Sequence, residues 1–176
     1  MPLSLSGTTG IVTGNIAALN VTNDKLAIGA ARLNFGAGAV LQVLGGSSTT
    51  PVTVSSTTYT DTGLTVSITP SSTSNKILVQ ASLNANFAKT ASTQGVLCKL
   101  LRDSTALITP SAKGQGLVGV GGSSSLDIVH TIPFLYLDSP SSTSSLTYKI
   151  QGIPFSAASV TFNNTYSSIV VMEIAG

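Results

Sequence analysis

Between Asn75 and Phe87 the stretch NKILVQASLNANF alternates. Ile77, Val79, Ala81, Leu83, Ala85 and Phe87 take one parity, and Gln80, Ser82, Asn84 and Asn86 the other. A period of two puts each set on its own side of a strand, so a long strand is expected, with a core face and a face of small amides and hydroxyls. Leu78 is the odd apolar member of that second face. Leu64, Val66 and Ile68 alternate with Thr65 and Ser67, and Leu146, Tyr148 and Ile150 with Thr147, Lys149 and Gln151, in the same way. In LDIVHTIPFLYLD the residues Ile128, His130, Ile132, Phe134 and Tyr136 share one parity. Pro133 lacks a ladder donor and marks that strand as an edge or the site of a bulge.

Further strands follow from shorter runs. AVLQVLG reads as the first strand of the main domain. PVTVSSTTYTDTGLTVSITP offers two segments joined at Asp61-Thr62-Gly63. GVLCKLLRD and TALITP flank a turn at Arg102-Asp103-Ser104. Asp138 to Ser145 is a hydroxyl-rich connection in which Pro140 sets a dihedral and side chains bond to nearby backbone. ASVTFNNTYSS supplies a strand and a turn. IVVMEIAG is apolar on both parities, which predicts cover on both faces, one of them from another subunit. The glycine-rich AKGQGLVGVGGSSS is a loop or a weak strand. Eight to ten strands in residues 38–176, punctuated every eight to twelve residues, predict an all-β fold, an antiparallel β-sandwich or jelly roll.

Residues 1–37 differ from this. Gly7, Gly10 and Gly14 precede a small helix expected from about Asn23 to Leu33, with Thr22 or Asn23 as its cap and Leu26, Ala30 and Leu33 as a narrow apolar stripe. About ten helical residues are marginal alone and need a surface to dock on. The expected organisation is an N-terminal arm, 1–37, that anchors or trimerises the protein, followed by a β domain, 38–176. The plainer alternative is an arm packed on its own domain.

Composition changes the picture in one respect. Apolar residues make up 42% of the 176, yet only 8% are charged, and 49 are Ser or Thr. Ordinary soluble domains carry roughly 25% charge, so this surface is held in water by hydroxyls and amides. Weak net charge gives little colloidal protection, which favours subunits fixed in an assembly. A formal charge of +2, with basic residues scattered, offers no polyanion-binding patch, so nucleic acid is not expected as a partner. No apolar window approaches 18 residues, so no membrane insertion by a helix is expected. MPLSLSGTTGIV has neither the basic start nor the apolar run of a secretory signal.

Catalytic chemistry needs convergent acids, an activated nucleophile or metal ligands. Asp24, Asp61, Asp103, Asp127, Asp138 and Glu173 are widely spaced. Asp61, Asp103 and Asp138 border turns, where bonding to backbone is the ordinary role, although two of them meeting at one end of the sandwich would suit Ca²⁺. His130 is the only histidine and Cys98 the only cysteine, too few ligands for zinc without help from an acid. Cys98 reads as a small buried hydrophobe. Glu173 has apolar parity and so needs a partner, for which Lys149 is a candidate, or a raised proton affinity. Tyr59 and Tyr166 are the candidate exposed aromatics. No catalytic, cofactor-binding or metal-binding residue is assigned, no cofactor is implied, and the chain is not expected to be an enzyme.

GTTGIVTGNIAALNVTNDKLA near the start, then YTDTGLTVSITPSSTSNKILV, LLRDSTAL, YLDSPSSTSSLTYKIQG and SSIVVMEIAG, together resemble the fibre and virion proteins of tailed, marine-type bacteriophages. The likeness touches about 80 residues, and its fragments are low in complexity; their order carries it. It implies a homotrimeric, β-rich virion structural protein, held to other virion proteins through the N-terminal arm, with a host-surface glycan as a candidate partner. The chain has almost no shaft, which points to a short fibre, spike or capsid decoration subunit at the particle surface or tail, assembled in the host cytoplasm. The alternative is a non-viral extracellular carbohydrate-binding or adhesive β module.

Overall fold

The computed structural model describes residues 36–89, 93–110, 118–119, 126–157 and 159–176. Eleven strands run through them, all pairings antiparallel. They are β1 (Val40–Ser48), β2 (Val52–Val54), β3 (Thr60–Ile68), β4 (Lys76–Lys89), β5 (Thr93–Arg102), β6 (Thr105–Ile108), β7 (Val118–Gly119), β8 (Leu126–Asp138), β9 (Leu146–Phe155), β10 (Val160–Phe162) and β11 (Ser167–Ile174).

They form two sheets. The six-stranded sheet runs β1-β11-β4-β10-β2, with β8 on the other side of β4; the five-stranded sheet runs β3-β9-β5-β6, with β7 also on β5. β4 organises the first sheet because its length serves two partners on one side. Residues 76–82 pair with β11, and Ala85 and Asn86 pair with β10. β8 pairs with β4 over thirteen successive positions, from Ile77↔Asp138 to Lys89↔Leu126. Among the described residues β8 has no other neighbour, so Pro133 does lie on an edge strand.

The core between the sheets is what the period-two patterns require. Ile77, Val79, Leu83, Phe87, Ile132, Phe134, Ile169 and Val171 from one sheet meet Leu64, Ile68, Val96, Leu100, Tyr148 and Ile150 from the other, all buried. Cross-sheet burial of such rows is the main favourable term in a sandwich.

Several expectations are corrected. The fold expectation joined the sandwich to a small helix, but every regular element among the described residues is a strand and none is a helix. Chain rich in β-branched residues and hydroxyls fits a pleated surface better than a helix. The segment expected to be helical, residues 23–33, lies outside the described residues, as does nearly all of the arm 1–37. Most of the glycine-rich segment 112–125 lies outside them too, apart from β7. The joint expected at Asp61-Thr62-Gly63 is instead inside β3, as a bulge: the register with β9 jumps between Asp61 and Thr65. Gly63 takes a positive φ of 83° there, a conformation other residues rarely adopt. The true connection is residues 55–59, and it carries the chain from the six-stranded sheet to the five-stranded one.

Candidate functional site

The two sheets turn chemically different outer faces to their surroundings. On the six-stranded sheet the register sets Leu78 beside Leu137 and Met172, and Gln80 beside Leu135 and Val170. Val43 continues the row beyond Met172. Leu135 is 69% exposed, Leu137 52% and Val43 55%. Soluble monomers rarely leave so continuous an apolar band in water. A depression of about 680 Å³ lies within it, lined by Gln80, Ser82, Pro133, Leu135, Ser168 and Val170 among others. The second parity of β11, expected to meet another subunit, is Val170, Met172 and Ile174, and it forms part of this face.

The five-stranded sheet carries a polar group on its outer face, beside the half-buried Leu97 and Ile153. Asp61, Gln151 and Lys99 stand on one rung. Asp61 accepts hydrogen bonds from Lys149 Nζ at 2.9 Å and from Gln151 Nε2 at 2.7 Å. Partial burial pushes this carboxyl up, but the Gln151 and Lys149 donors outweigh it and hold it below the ordinary range. Lys99 Nζ sits 3.8 Å from the centroid of the Tyr59 ring, a cation–π contact. A smaller hollow of about 290 Å³, bordered by Asp61, Gly63, Thr65, Thr147 and Lys149, adjoins the group.

Two buried carboxylates tie the ends of strands. Asp138 ends β8 opposite Ile77, and Glu173 flanks the same residue from β11. Asp138 takes Arg102 Nη1 at 2.7 and 2.8 Å and the Tyr148 hydroxyl at 2.7 Å, both from the opposite sheet. Burial, then the hydrogen bond to Asp138, pushes the Tyr148 phenol well up. Burial works against the Arg102 charge, and Asp138 more than restores it. Glu173 does not use Lys149, which is committed to Asp61. It accepts from Gln42 Nε2 at 2.6 Å, Ser71 N at 2.6 Å, Ser71 Oγ at 2.8 Å and Asn75 Nδ2 at 2.5 Å. Burial pushes its carboxyl up, yet the Asn75, Gln42 and Ser71 donors draw it below the ordinary value. A carboxylate supplied with several donors stays charged in the interior. The raised proton affinity weighed from sequence is therefore replaced by a lowered one.

The remaining sequence candidates do not converge. Asp103, at a positive φ of 53°, accepts from Thr147 N at 2.9 Å and serves the β5–β6 turn. With Asp61 and Asp138 also engaged by protein donors, the three aspartates do not assemble as ion ligands. Among the described residues no three His, Cys, Asp or Glu side chains come together. Cys98 is fully buried on β5, and burial pushes its thiol well up. His130 faces inward on β8 opposite Ala85, half-buried. Tyr166 is exposed in the β10–β11 turn, and Asp24 lies outside the described residues. Sequence reasoning reached the apolar outer face only through Leu78 and the second parity of β11, and missed the share of β8. The signal of that share was the second parity of β8, where Val129, Leu135 and Leu137 accompany Asp127, Thr131 and Pro133.

No protein-family description and no curated protein matches the chain. Among solved structures it is similar to the VP2 chain of the infectious bursal disease virus subviral particle, at 13% identity and a TM-score of 0.38, over 77% of this chain and 33% of that one. It is also similar to a chain of the T13 particle of the same virus, at 11% identity and a TM-score of 0.33, over 77% of this chain and 36% of that one. The chain thus spans about a third of the length of each, and similarity this slight carries no conclusion about activity or partners.

Proposed function

We propose that the protein is a virion structural subunit, a short fibre, spike or decoration module, fixed on its particle by residues 1–37 and by contacts between copies. The observation that carries this reading is the apolar face of the six-stranded sheet, on which Leu135, Leu137 and Val43 are exposed and which a free monomer would have to keep in water. A chain with 8% charged residues has little repulsion to stop such faces from associating. Fixed neighbours remove the problem. The sequence resemblance to phage fibre and virion proteins adds a three-copy assembly and the particle surface as its place. The polar face of the five-stranded sheet, with Tyr59, Lys99, Asp61, Lys149 and Gln151, is then the face turned outward and the one suited to a host-surface glycan.

The reading assigns the protein a mechanical and adhesive role with no reaction. A density map of the intact particle, together with protein identification in sedimented particles, tests it. Copies on the particle exterior are expected. Deletion of residues 1–37 should leave a folded β body that no longer sediments with particles. A chain that never accompanies particles overturns the proposal.

A further inference from the structure

Two charged side chains on the outer face of the six-stranded sheet have no partner among the described residues. Lys76 on β4 and Asp127 on β8 are exposed, and neither enters an ion pair or a side-chain hydrogen bond there. They stand at opposite ends of the face. Lys76 is at the Ile174 rung, and Asp127 lies opposite Ala88. The span from Lys76 to Ala88 is roughly 40 Å at about 3.4 Å per strand residue. Its midpoint is Ser82, opposite Pro133, and both residues line the depression in the face. Between its charged ends the outer parity of β4, β8, β11 and β1 carries only apolar, amide, hydroxyl and glycine residues.

We propose that this face packs against the same face of a second copy, about a two-fold axis that crosses the strands near Ser82 and Pro133. Such an axis reverses the strand direction between the two sheets, so Lys76 of each copy meets Asp127 of the other. An axis along the strands would instead set Lys76 against Lys76 and Asp127 against Asp127, and like charges disfavour it. β4 and β8 run for more than about 40 Å and the shorter β11 and β1 for about 30 Å; at about 4.8 Å between strands they give a face of about 700 Å², somewhat under the ~800 Å² per partner of a standard stable interface. The free edge of β8 is a poorer contact, because Pro133 interrupts its outward ladder. Face packing covers Leu135 and Leu137, and edge pairing would not.

The pairing rests on the assembly reading above but is tested apart from it, with the full chain in solution. Sedimentation equilibrium at moderate salt is expected to return an even number of 17.7 kDa subunits: two, or six where residues 1–37 gather three. Symmetry doubles each charge pair, so K76D and D127K should each loosen pairing about tenfold, and the K76D/D127K double variant should recover to within about threefold. Leu135→Asp alters an exposed position and should keep the far-ultraviolet spectrum while loosening pairing by more than about a hundredfold. A monomer or an unpaired trimer overturns the contact, as does a double reversal no better than the singles. Slow amide exchange across 129–137 in a monomer would assign the face to the chain's own residues 1–35 and also overturn it. Particles that incorporate an unpaired L135D chain normally would refute this contact while leaving the virion reading intact.

Discussion

The Tyr148 hydroxyl donates to Asp138 Oδ2 at 2.7 Å and so joins the two sheets through one buried oxygen. Arg102 Nη1 reaches the same atom from the neighbouring strand β5, also at 2.7 Å. Removing the carboxylate strands a buried phenol and a half-buried guanidinium at once. Asp138→Ala should therefore cost about 2–4 kcal/mol, and Tyr148→Phe about 1–2 kcal/mol because Arg102 still answers the charge. Urea unfolding of both variants measures the difference. Equal costs would show that the hydroxyl, not the charge, dominates the tie.

Glu173 makes stability depend on acid. Its carboxyl lies below the ordinary glutamate value of 4.5 in the folded chain, so the folded state binds its proton less readily than the unfolded state does. The contribution is complete above about pH 5 and is lost as the pH falls through the folded value. Glu173→Gln should cost about 1–3 kcal/mol at pH 7 and should flatten the fall in stability between pH 5 and pH 3. Denaturant midpoints at three pH values in that range check both parts, and an unchanged slope would remove Glu173 as its source.

Gly152 on β9 lies under the Phe162 ring: a Cβ there would come within 2.2 Å of the ring's Cζ. Gly152→Ala should destabilise by about 1–3 kcal/mol through overpacking. Phe162→Leu added to it should restore part of that loss, although alone it leaves a cavity. Thermal unfolding of the two singles and the double gives the coupling. Simple additivity would mean that the two sites do not press on one another.

Cys98 is fully buried in β5 with its thiol pushed well up. Thiolate is the reactive form, so native protein should react with a disulfide reagent at least about a hundredfold more slowly than protein in urea. Fast labelling of the native chain would place Cys98 at the surface and contradict the strand parity of β5.

Much of the body was legible in the sequence because side-chain direction along a strand is a local property. The period of two assigned Ile77 to Phe87, Leu64 to Ile68 and Leu146 to Ile150 to the core, and each row is buried there. Pro133 marked an edge because its missing donor is a property of the residue itself. The same local reasoning foresaw that Glu173 is buried and needs partners.

What it could not supply was pairing across distance. The donors to Glu173 come from Gln42, Ser71 and Asn75, which lie 98 to 131 residues away along the chain. Lys149 was equally plausible until the fold set it opposite Thr65 on the other sheet, where its side chain pairs with Asp61. β2 and β3 are neighbours in sequence yet belong to different sheets. The bulge at Asp61 to Thr65 exists only relative to β9. The apolar outer face likewise emerges only when Leu135, Leu78, Val170 and Val43, which stand on four separate strands, are brought into one row of neighbours. Sequence alone determined which way each residue points along its strand; tertiary structure decided which strands stand together, because hydrogen-bonded pairing is settled by the whole chain.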